Sequence, residues 1–88
     1  MWLSRRIRIE TTKMIAIAIK FGLVVRASRE SRGLSQEALA ELANLNRSYL
    51  GEIERGVAVP SIETMQKLAM ALGEKLSDLI NQCEQDDK

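Results

Sequence analysis

Residues 45–61, LNRSYLGEIERGVAVPS, gather two arginines, two glutamates, a tyrosine and two glycines into room for one short helix and a turn. Arg47 and Tyr49 fall at the start of that helix. A cation at a helix N-terminus opposes the helix dipole, so Arg47 is badly placed for stability and well placed to reach something outside the chain. Recognition is the chemistry on offer, because the groups for catalysis are missing. The 88 residues include no histidine and one cysteine, Cys83, which removes Ser-His-Asp and Cys-His catalysis and the usual zinc sites. The carboxylates pair in no plausible pocket and no cofactor motif occurs. An enzyme, a metal and a cofactor are therefore not expected.

Charge sharpens the direction of that recognition. The net formal charge is only +1, yet residues 1–32 carry eight basic side chains against Glu10 and Glu30. Residues 33–60 carry two basic and four acidic side chains, and residues 61–88 three basic and six acidic. A basic start and an acidic end make a one-sided field that attracts phosphates or another anionic surface. Arg5, Arg6 and Arg8 ahead of MIAIAIKFGLVV resemble a secretory leader, but Lys20 and Gly22 interrupt the apolar run, which is too short to span a bilayer. A single cysteine allows no internal disulfide and points to a reducing cytoplasm. Cys83 reads by default as a small, partly buried hydrophobe.

The elements that must position Arg47 follow from periodicity and caps. Aliphatic composition with three aromatics and one proline suits a small all-α domain. Residues 1–13 show no helical period and read as a tail, or as a short strand over RIRIE. The Ile-Ala alternation of MIAIAI leaves open whether the first helix extends backward. A first helix is expected over 14–32, with Phe21, Val25 and Ser28 on one face and Gly33 stopping it. Ser35 caps a helix over 36–43 whose inner face is Leu39, Ala40 and Ala43. Asn44, the non-glycine residue most tolerant of the left-handed conformation, ends it. Leu45 returns to the core and Asn46 caps a helix over 47–54 with Leu50 and Ile53 inward. Gly56 and Pro60 close that segment, and Ser61 caps a helix over 62–72 with Ile62, Met65, Leu68, Ala69 and Leu72 in helical period. A fifth helix begins near 77. The domains expected are a basic, apolar extension over 1–17, a helical domain over 18–83 and an acidic tail over 84–88.

Two short helices joined through Asn44–Asn46 must cross sharply, which is helix-turn-helix geometry. The run GLSQEALAELANLNRSYLGEIERGVAVPSIETMQKLAMALG, with F-G…R-x-x-R-x-x-R-G-L-S-Q before it, closely resembles the phage repressor and Cro (XRE-like) family. The resemblance covers about residues 21–80. Asn44 stands where that family most often has glycine, and Leu23 and Val24 where it has polar residues. It implies a five-helix, lambda-repressor-like helix-turn-helix domain with a basic N-terminal extension. It also implies roles. Arg47 and Ser48 enter the major groove, where an arginine fork bonds guanine O6 and N7. Gln36, Asn46 and Arg55 contact phosphate. Glu54 pairs, buried, with Arg29. Glu52 accepts from a cytosine, repels non-cognate phosphates or faces solvent; Tyr49 reaches a thymine methyl or phosphate, or covers the helix pair.

One such helix reads few base pairs, so operator binding as a C2 homodimer is expected. Leu79, Ile80 and Cys83 are the candidate interface, though the core also claims them, and MIAIAI, Leu23 and Val24 form a second candidate surface. The function implied is a sequence-specific, double-stranded-DNA-binding transcriptional regulator, a repressor or a restriction-modification controller working at the nucleoid. Alternatives are an antitoxin-type autoregulator and a protein-interaction module of the same fold. Toxin or RNA polymerase contact belongs to these readings. No membrane partner is expected.

Overall fold

The caps foreseen in the sequence place the helices. A computed structural model describes the backbone of residues 2–85 and the side chains of 15–85. Five helices follow in order: α1 (Trp2–Ser31), α2 (Gln36–Ala43), α3 (Arg47–Glu54), α4 (Ile62–Leu72) and α5 (Leu76–Glu84). Ser35 Oγ accepts from the Ala38 amide, Asn46 Oδ1 from Ser48 and Tyr49, and Ser61 Oγ from Thr64. Each side chain satisfies N–H groups that have no partner within the helix. Asn44 adopts φ 57°, ψ 49°, and the Leu45 amide donates back to the Ala40 carbonyl at 2.8 Å. That left-handed residue and its returning bond turn the chain from α2 into α3 within three residues.

The core lies where all five helices meet. Phe21 and Val25 of α1, Leu39 of α2, Leu50 and Ile53 of α3, and Leu68 and Leu72 of α4 are fully enclosed. Aliphatic side chains fill it with one aromatic ring, as the composition requires.

Three expectations need correction. The tail or strand expected over 1–13 is helix from Trp2 onward. No glycine or proline interrupts residues 2–21, so nothing stops the ladder from propagating backward. At about 1.5 Å per residue α1 is roughly 45 Å long, close to the 47 Å longest extent of the chain. Ala18 is the first buried side chain among the described residues. Second, Ile62 points into solvent despite its helical period, because α4 starts exposed and its buried side chains begin only at Leu68. Third, Leu79 and Cys83, candidates for a dimer interface, are fully buried within this chain and have no surface to give a partner. Ile80 is half-buried. Of the expected acidic tail, residues 86–88 lie outside the described residues.

Candidate nucleic-acid interface

The site rests on how α3 is held from behind. Gly22 of α1 lies so close to α3 that an added Cβ would fall 2.1 Å from the Ile53 carbonyl oxygen. Only glycine permits that approach, and the approach brings Arg29 onto Glu54. Arg29 Nε donates to Glu54 Oε2 at 2.7 Å and Nη2 to Oε1 at 3.0 Å, a two-pronged fork. Its Nη1 donates to the Leu34 carbonyl at 2.8 Å, which fixes the link between α1 and α2. Gln36, the first residue of α2, donates from Nε2 to Glu54 Oε1 at 2.9 Å. Side chains from α1 and α2 thus converge on one carboxylate of α3. Arg29 is 9% exposed and Glu54 5%. The bond to Glu54 raises the Arg29 pKa further above its already high value, outweighing burial, so the guanidinium stays charged.

A second clamp acts at the same C-terminal end of α1. Ser28 Oγ donates to Glu74 Oε2 at 2.6 Å, and Arg32 Nη1 lies 3.3 Å from the same oxygen. α1 is therefore tied to α3 on one side and to the α4–α5 turn on the other. Arg26 spends its charge on Glu30 at 3.1 Å, an exposed pair on its own helix, worth little to stability.

Outward of this frame lie the residues singled out for recognition. Arg47, Ser48, Glu52 and Arg55 are exposed. Among the described residues, the side chains of Arg47, Glu52 and Arg55 make no hydrogen bond or ion pair, so their polar groups are open to a ligand. Asn46 Oδ1 is occupied by capping, which leaves its amide Nδ2 as the donor. Tyr49 is half-buried and packs against the core, so its ring body serves the helix pair. Gln36 is partly committed inward, with one of its two amide hydrogens on Glu54 and the other unassigned. Leu79 and Cys83 stand apart from this surface, in the interior; burial pushes the Cys83 thiol up, which keeps it protonated and unreactive.

From the sequence, Gly51 is expected to remove bulk so that a neighbouring helix or the DNA backbone can come close, whereas Gly22 has no assigned purpose. Gly22 is explained by the α1–α3 approach above. At Gly51 a Cβ would meet Arg55 Nη1 at 3.2 Å and the Gln36 amide at 3.9–4.0 Å. The F-G pair before the arginine series was the available signal for the first; over the second the structure places the tip of Arg55 and, from the neighbouring α2, the Gln36 side chain.

Residues 25–79 match the family model described as Helix-turn-helix. The immunity repressor protein of Bacillus phage phi105 is 44% identical over 61 residues, spanning 69% of this chain and 42% of the repressor. This chain thus accounts for less than half the length of that relative. Control protein C.BamHI of Bacillus amyloliquefaciens is 40% identical across 78% of this chain and 93% of its own length. The crystal structure of the restriction-modification controller protein C.AhdI from Aeromonas hydrophila superposes with a TM-score of 0.69 at 45% identity. It covers 70% of this chain and 94% of that one.

Proposed function

This chain belongs to the helix-turn-helix family, and from that membership we propose that it is a DNA-binding transcriptional regulator whose α3 reads an operator half-site. The observation that carries the reading is the division of α3 into two faces. Leu50, Ile53 and Glu54 are locked into the frame, while Arg47, Ser48 and Glu52 project outward. Arg47 in the first turn is the reading residue, forking to guanine O6 and N7. Ser48 and Glu52 read neighbouring base edges, and Tyr49 offers its exposed rim to a thymine methyl. Gln36, Asn46 and Arg55 grip phosphates on either side, fixing register.

The controller type is the favoured assignment within this class, because the match spans nearly the whole of C.BamHI and of C.AhdI. Such a regulator acts as a homodimer on two half-sites about 34–36 Å apart, at the nucleoid of a reducing cytoplasm. No helix among the described residues is long and apolar enough to cross a membrane.

Selection of duplexes from a random pool, followed by binding titrations over a range of salt, tests the reading. A pseudo-palindromic site and a steep fall of affinity with salt are expected. Binding that ignores sequence, or a flat salt response, would exclude it.

A further inference from the structure

We propose that Gly51 is a positioning residue for Arg55: its missing side chain leaves a seat on α3 in which the Arg55 guanidinium rests beside Gln36, so that a two-residue phosphate clamp is set before DNA arrives. The inference rests on the DNA-binding reading above and deepens it.

Glycine in the interior of an eight-residue helix needs a reason, since it weakens the helix relative to alanine. Backbone conformation is not the reason. The glycines with positive φ are Gly33, Gly56 and Gly73, and Gly51 is not among them. Close approach of another backbone is not the reason either, in contrast to Gly22. What a Cβ at position 51 would meet within 4 Å is the tip of one side chain, Arg55, and then the amide of Gln36. Residues 51 and 55 share a helix face at i, i+4, and the Arg55 amide bonds the Gly51 carbonyl at 3.0 Å. The arginine therefore folds back over its own helix, across the glycine, towards the first residue of α2.

The seat matters because Arg55 has nothing else to hold it. Among the described residues its guanidinium has no hydrogen bond or ion pair. Its five donors stay available, while Gln36 keeps one amide hydrogen beyond the bond to Glu54. The Arg55 guanidinium and the Gln36 side-chain amide thus both lie within 4 Å of the space a Cβ at 51 would take, which sets their donors around one place for a phosphate. Filling the seat with a methyl group drives the guanidinium off, and its rotamer freedom must then be lost on binding.

The test is a double-mutant cycle on a duplex selected by the wild-type protein and on an unselected duplex. Gly51→Ala should raise Tm by about 3–6 °C and yet weaken binding roughly threefold to tenfold on both duplexes. In the Arg55→Ala background Gly51→Ala should raise Tm again and weaken binding no further. Wild-type affinity in Gly51→Ala overturns the proposal. So does an equal loss in the Arg55→Ala background, which would put Gly51 itself against DNA. A wild-type protein that binds no duplex removes the DNA-binding reading, and this inference with it, before any variant is made.

Discussion

Arg29 and Arg55 both end beside α3, in opposite conditions. Arg29 comes from α1, is nearly enclosed, and spends its donors on Glu54 and on the Leu34 carbonyl. Arg55 caps the C-terminus of α3, is exposed, and spends none among the described residues. Burial with full pairing makes an arginine part of the frame; exposure without a partner makes it available for a ligand. The same contrast divides the glutamates, Glu54 inward and Glu52 outward, and the glycines. Gly22 admits a backbone, and Gly51 admits a flexible side chain.

The largest way to break the frame is Glu54→Ala. It leaves the Arg29 charge buried and unpaired and frees Gln36, and should cost about 3–5 kcal/mol in chemical denaturation. Replacing both partners, Arg29→Met with Glu54→Leu, should cost distinctly less than Glu54→Ala alone. If the double variant were the less stable, the pair would be a net source of stability and not merely a matched set. Gly22→Ala comes next, at about 3 kcal/mol, since the added carbon meets backbone and α1 must move off α3; thermal unfolding reads this directly.

Changes on the open side should leave stability alone and move binding. Arg47→Ala should reduce discrimination at one base pair per half-site by about 1–3 kcal/mol. Its Tm should stay level or rise slightly as the unfavourable dipole contact is removed. Unchanged preference in a selection experiment would unseat Arg47 as the reading residue. Arg55→Ala should weaken all sequences about equally and reduce the slope of log K against log salt by about 0.9 per phosphate released. Arg47→Ala that unfolds the protein, or Glu54→Ala that only weakens binding, would collapse the distinction between the two sides.

Much of this was readable in the chain, for a local reason. Ser35, Asn44, Asn46, Ser61 and Gly73 act on backbone groups within a few residues of themselves, so the bounds of α2, α3 and α4 follow from side-chain chemistry at known spacings. The inward set Leu39, Leu50, Ile53 and Leu68 follows from helical period. The start of α1 was not readable in this way, because RIRIE and MIAIAI both alternate as a strand would, and Thr11 and Thr12 between them offer a cap that the helix, running on from Trp2, does not use as a start.

What the sequence by itself determined is the helix-turn-helix segment and the list of side chains in it that can reach outward. What the tertiary structure alone decided is which neighbours from distant segments stand against each face. Leu79 and Cys83 became interior, Ile62 became exposed, Gln36 was drawn part-way onto Glu54, and the two α-helical glycines acquired different reasons to exist. Capping is settled over about four residues of chain, whereas burial and close approach depend on contacts such as Arg29 with Glu54, 25 residues apart. No local pattern carries that information.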